Sequence, residues 1–217
     1  MCGLNKSGFH LLLWVILFSG FFQAHPALSG EFRPKRQMEV FDKGRLSLQL
    51  ISGSLFSSQI NNTPVMDYWQ TNLRLGYALN QPTQAISILR GNFEAILGIS
   101  CSIVYEGLGS YVVGLTALVR YNFVQPDSRL IPYFQAGSGI AYTDAYRDNS
   151  QDAIGQSIEF TPQASVGFRY LIRENWSLDA EGMYHHISNG GMAQRNAGIN
   201  AFGGFLGLTY FFDGRRK

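Results

Sequence analysis

Cysteine is scarce in this 217-residue chain: there are two, Cys2 and Cys101. That excludes a disulfide framework and a cysteine-based metal site. Charge is scarce too. Charged residues make up 15% of the chain, against about 25% in soluble domains. The net charge of +2 offers no basic surface, and no nucleic-acid partner is expected. The longest apolar run covers residues 9–22, short of the roughly 18 residues a membrane-spanning helix needs. No segment sustains a helical period with caps. The glycines follow no strand-to-helix pattern, so nucleotide binding is unsupported, and no cofactor is expected.

What is abundant is glycine, with 24 residues, and aromatics at 14%, including 16 Phe and 11 Tyr. Hydrophobic residues reach 46%, yet the mean hydropathy is −0.03. A helical membrane protein would be clearly apolar. A β-barrel that alternates lipid-facing and interior residues averages to about neutral.

The N-terminus has the three-part layout of a secretory signal peptide. Lys6 supplies the positive region, residues 9–22 the apolar core, and Ala24, Ala27 and Ser29 the small residues. Residues 1–29 are read as that leader, with cleavage at about 24–29; an uncleaved anchor is the competing reading. Residues 30–44 form a connector; its first part, residues 30–37, is basic, contains Pro34 and reads as a solvated, flexible tail.

Residues 45–217 break into eight segments of strand character: 45–57, 66–79, 89–104, 111–123, 131–143, 157–172, 176–188 and 200–212. Leu46, Leu48 and Leu50 alternate with Ser47 and Gln49, and Leu73, Leu75 and Tyr77 with Arg74 and Gly76. In the last segment Phe202, Leu206, Leu208, Tyr210 and Phe212 share one parity; small residues share the other, interrupted by Phe205 and Phe211. With both termini on one side, three of the four connections at the far end are the long ones. Even strand number and this alternation of loop length are how outer-membrane barrels are built. The fold expected is all-β, an eight-stranded antiparallel transmembrane β-barrel in the bacterial outer membrane. A soluble sandwich or lipocalin-like barrel is the alternative, opposed by the low charge and the aromatic content.

Residues with catalytic chemistry stand at a meaningful spacing in one place. His186 and Ser188 are two apart, so a strand puts them on one face, about 6.5–7 Å apart along the chain. A histidine ring can span that gap and activate a serine hydroxyl. Their parity matches Leu178, Ala180 and Tyr184, the lipid-facing set, near the outer end of strand seven. Asp179, Glu181 and His185 take the opposite, interior parity. A His and a Ser facing lipid are costly as mere structure, and they sit where an esterase acting on a membrane lipid would need them. Glu159, on strand six, is a further carboxylate that could neighbour the pair. Arg90, Arg120, Arg169, Glu94 and Glu106 read as members of interior ion pairs. Asp144, Asp148 and Asp152, spaced by four, fit no calcium-loop template and read as a solvated loop; no metal is expected.

The run His186-Ile187-Ser188-Asn189-Gly190-Gly191, followed by Gln194, Asn196, Gly198, Ile199 and Asn200, resembles the signature of the lipid A 3-O-deacylase (PagL-like) family. Looser stretches, Arg90 to Glu94 and Pro132 to Gly137, agree with it. The resemblance implies an eight-stranded outer-membrane barrel with a Ser-His-Glu triad on its outer surface, acting on lipid A of lipopolysaccharide in the outer leaflet. It assigns Ser188 as nucleophile and His186 as base. It gives Asn189, with the backbone N–H groups around Gly190 and Gly191, to the oxyanion, and Asn196 to the shape of the loop. One position departs: twelve residues after the serine the family has an acid, and here stands Asn200. Asn200 as orienter of His186, a substitute carboxylate, and a barrel without activity are the three readings. A homodimer is left open.

Overall fold

A computed structural model describes residues 39–58, 63–82, 87–126 and 128–212. The segment read as a leader and most of that read as a connector lie outside the described residues. The strands are β1 (Leu46–Ser57), β2 (Met66–Ala78), β3 (Gly91–Gly107), β4 (Tyr111–Phe123), β5 (Leu130–Thr143), β6 (Ile158–Phe160), β7 (Gln163–Arg173), β8 (Trp176–Ile187) and β9 (Ile199–Phe211). Every neighbouring pair is antiparallel. β1 pairs with both β2 and β9, and β4 with β5, so the sheet closes on itself.

Nine strands make eight staves. The sixth expected segment is divided into β6 and β7 because Pro162 has no N–H for the ladder. The register runs through the break: Ile140 faces Phe160 and Gly137 faces Gln163, three residues further on each chain. The third segment starts later than expected, since residues 87–89 form a 3₁₀ turn, and it runs on to Gly107.

Parity behaves as the alternation predicts. Leu48, Leu50, Leu73, Leu75, Leu97, Ile99, Val166, Leu178, Phe202 and Leu206 face outward and are exposed. An apolar face that wraps the whole wall is a surface for lipid, not water. Aromatic clusters gird it: Phe93, Tyr121 and Phe134 near the end where β1 begins and β9 ends, Tyr111 stacked on Tyr142 near the other.

The interior has three layers. At the long-loop end an apolar cluster includes Ile51, Leu55, Tyr68, Ile154, Ile187, Ile199 and Phe205. The middle is ionic. Arg74 grips Glu181 through two hydrogen bonds of 2.8 and 3.1 Å. Arg169 lies 3.0 Å from Glu94 and 3.9 Å from Asp179, and Arg120 lies 3.6 Å from Glu94. Tyr133 donates to Glu181 at 2.8 Å, and its ring lies 4.3 Å under the Arg120 guanidinium. Each charge is buried and needs its partners, since an unpaired one would cost several kcal/mol. Asp179 and Glu181 thus take the interior positions their parity assigns. Arg90 and Glu106 stay out of this layer: Arg90 donates to the Val124 carbonyl at 2.7 Å, and Glu106 is exposed at the rim.

The third layer draws on the connector. Val40 and Phe41, at its end, are buried with Val124, Ile131, Leu171 and Phe211. The Phe41 ring meets Phe211 edge-on at 5.4 Å, and Asn92 donates to the Phe41 carbonyl at 2.8 Å. Eight strands enclose a space that side chains must fill, and here the segment before β1 fills its inner end. Phe205 and Phe211, which interrupt the small parity of β9, point inward and join the outer and inner apolar clusters respectively.

Candidate active site

The site sits at the long-loop end, where β8 passes into the loop before β9. Ser188 prolongs β8 by one position: its amide donates to the Phe160 carbonyl at 3.1 Å and its carbonyl accepts from the Phe160 amide at 2.7 Å. The His186 amide donates to Pro162 at 2.9 Å. These bonds fix both residues in extended backbone, so their side chains share the outward face, and both are half-buried. The hydrogen bonds of Ser188 are main-chain, which leaves its hydroxyl unengaged among the described residues.

The β8–β9 register places Asn200 directly opposite His186. His186 Nδ1 lies 2.8 Å from Asn200 Oδ1. A carbonyl oxygen only accepts, so Nδ1 is the donor, and in the neutral ring Nε2 keeps a free lone pair. That is the tautomer a base needs. The ring lies over Gly198, whose φ is +73°. A Cβ built there would stand 2.8 Å from His186 Cε1 and 3.3 Å from Nε2, so glycine makes the seat for the imidazole.

The other carboxylates do not substitute. Asp179 and Glu181 belong to the interior ionic layer. Glu159 is buried on the interior side of β6, where it accepts from the Gln156 amide at 3.2 Å. His185 also points inward, with Nδ1 2.5 Å from the Tyr68 hydroxyl. Among the described residues, Asn200 is the partner of His186 Nδ1.

Asn189 has a different task from the one its neighbours suggest. Its side chain is fully buried. Nδ2 donates to the Arg195 carbonyl at 2.8 Å, and Oδ1 accepts from the Gly191 and Ala193 amides at 3.1 and 3.3 Å. Its own amide donates to Asn196 Oδ1 at 2.8 Å. Asn189 and Asn196 therefore tie the loop, and the Gly191 amide is committed to that tie. The Gly190 N–H is left without a partner among the described residues, on a turn where Gly190 and Gly191 have φ of 64° and 85°.

Two contributors carry no motif signal. Tyr184 donates to Asn200 Oδ1 at 2.7 Å; its parity with His186 was the one available hint. Arg195 fastens the β8–β9 loop to the β5–β6 loop through the carbonyls of Tyr146, Asp148 and Gln151, at 2.8, 2.5 and 3.2 Å. In that second loop Asp148 accepts from the Ser150 amide and hydroxyl, and Asp144 accepts from the Ser110 and Tyr111 amides of the β3–β4 connection. Burial pushes the Asp144 carboxyl up, but the Ser110 and Tyr111 amides bonded to it pull it net below the usual range. The Ser150 hydroxyl and amide lower Asp148.

The family model for the lipid A 3-O-deacylase PagL matches residues 67–209, more than half of the chain. A crystal structure of the outer membrane enzyme PagL is 19% identical, with a TM-score of 0.52, covering 74% of this chain and 97% of that one. A crystal structure of Neisserial surface protein A is 15% identical, with a TM-score of 0.54, covering 77% of this chain and 97% of that one. At these identities the two structures speak for the fold, a closed outer-membrane barrel. No curated protein matches in sequence. The homodimer left open by the sequence gains no support from the fold or the comparisons. With the matched span running from β2 to β9 and enclosing His186, Ser188 and Asn200, the chain is a bacterial outer-membrane barrel that belongs to the lipid A 3-O-deacylase (PagL) family.

Proposed function

We propose that the chain is an esterase that removes the 3-O-linked acyl chain of lipid A, with Ser188 as nucleophile and His186 as base. The observation that carries this is the 2.8 Å contact between His186 Nδ1 and Asn200 Oδ1 on the lipid-facing wall, beside an unengaged serine hydroxyl. Ser188 Oγ attacks the ester carbonyl while His186 Nε2 takes its proton. The tetrahedral oxyanion forms over the turn at Gly190, whose N–H is free to donate to it; one such donor is worth about 3–4 kcal/mol. Collapse expels the sugar alkoxide, which the imidazolium protonates. Water, deprotonated by His186, then cleaves the acyl-serine ester and releases the fatty acid.

Asn200 keeps the tautomer but cannot offset the imidazolium charge. An Asp→Asn change in a serine protease triad costs about 10⁴-fold in kcat, through the wrong tautomer. With the amide oxygen turned to Nδ1, that part of the loss is avoided and the missing charge remains. This favours a slower enzyme. The same missing charge also supports a second reading, a structural or surface-interaction barrel without activity. Mass spectrometry of lipid A from Gram-negative cells making the protein decides between them. The esterase reading expects loss of one 3-linked acyl chain with wild type and none with Ser188→Ala. Identical lipid A from the two strains would sink it.

A further inference from the structure

Where the signature this chain resembles has an acid, this chain has an amide, and an amide has a wrong way round. A carboxylate offers oxygen to the imidazole in either orientation. Asn200 offers oxygen in one and an NH₂ in the other, and the two have nearly the same shape. Reversed, Nδ2 would donate to Nδ1, the ring proton would move to Nε2, and the base would be lost.

We propose that Tyr184 is a positioning residue that fixes the direction of the Asn200 amide and thereby the tautomer of His186, which rests on the reading above of His186 as the base. Tyr184 lies two residues before His186 on the same face of β8, and Asn200 sits across from His186 on β9. Asn200 Oδ1 accepts from the Tyr184 hydroxyl at 2.7 Å and from His186 Nδ1 at 2.8 Å, so both lone pairs of the oxygen are filled. The Tyr184 ring is half-buried and packs on Phe202, its cross-strand partner, at 5.1 Å. With the amide reversed, the phenol would have to accept, and its own proton would face the apolar wall without an acceptor. An unsatisfied polar group is penalised there. One such hydrogen bond biases the two amide orientations by about tenfold.

The tautomer can be read without any activity. The full-length mature chain, labelled with ¹⁵N in its histidine rings and held in detergent micelles above the ordinary histidine pKa, gives two-bond ¹⁵N–¹H spectra. A His186→Gln variant assigns the signals. Wild type is expected to show His186 protonated on Nδ1. Tyr184→Phe is expected to shift the ring toward the Nε2-protonated form, and Tyr184→Phe with Asn200→Asp to restore Nδ1. On lipid A vesicles, Tyr184→Phe should lower kcat about tenfold at unchanged KM in the Asn200 background, and less than twofold in the Asn200→Asp background. A Tyr184→Phe spectrum identical to wild type, or a double variant that stays Nε2-protonated, overturns the proposal. A wild type inactive on lipid A overturns the esterase reading while the spectra still decide the role of Tyr184.

Discussion

Gly198→Ala separates the seat of the catalytic ring from the stability of the barrel. The added methyl would stand 2.8 Å from His186 Cε1 and 3.1 Å from the Ile187 carbonyl. Ordinary contact begins at 3.4 Å, so the ring has to retreat by about 0.6 Å. A displacement of 1 Å at a reacting group costs about 10²-fold in rate, so the expected loss in kcat lies between about tenfold and a hundredfold. The backbone contributes separately. At φ of +73° alanine is strained, by about 1–2 kcal/mol. Gly44 provides the matched control. Its φ is +85°, its nearest neighbour to a built Cβ is the Tyr77 hydroxyl at 3.9 Å, and it lies next to the inner end of β1. Gly44→Ala should therefore lose similar stability and little activity. Heat-modified migration on gels reads stability, and release of fatty acid from lipid A vesicles reads rate. If Gly198→Ala keeps more than a third of wild-type activity while losing as much stability as Gly44→Ala, the imidazole is not seated on Gly198 and the reasoning fails.

Two other substitutions probe the partners of the site and of the core. Asn200→Glu restores the charge that the family's acid supplies, and activity in the vesicle assay should rise; unchanged or lower activity would mean that the site is rebuilt around the amide. Glu181→Gln leaves the Arg74 guanidinium buried without its bidentate partner, and a broken buried pair costs about 3–5 kcal/mol. Urea unfolding in micelles should record a loss of that size. A loss below about 1 kcal/mol would show that water or Gln49, 3.2 Å from Arg74, replaces the carboxylate.

The alternation of side chains is local, and what depends on it is legible in the sequence alone. Period-two patterning gives eight staves, sends Asp179, Glu181 and His185 inward, and puts His186 and Ser188 together on the outer wall. Their place before the loop at 189–198 puts them at the rim. The motif from His186 to Asn200 points to the family. What no local pattern carries is who takes each lone pair. His186 and Asn200 are joined by the β8–β9 register, set by hydrogen bonds along the whole hairpin, and that register puts Asn200 rather than a carboxylate against His186 Nδ1. Tyr184 enters the site for the same reason. Asn189 carries an amide suited to an oxyanion, but in the folded loop its donors go to Arg195 and Asn196 and its oxygen accepts from its own turn. Val40 and Phe41 carry no sequence pattern that assigns them a partner, because nothing near them in sequence needs them. The closed barrel leaves an apolar space at its inner end between Val124, Ile131, Leu171 and Phe211, and closure is a property of all eight staves at once. Side-chain direction is set residue by residue, whereas partners, seats and plugs are set by chain segments far apart in sequence, which is why the tertiary structure alone decided them.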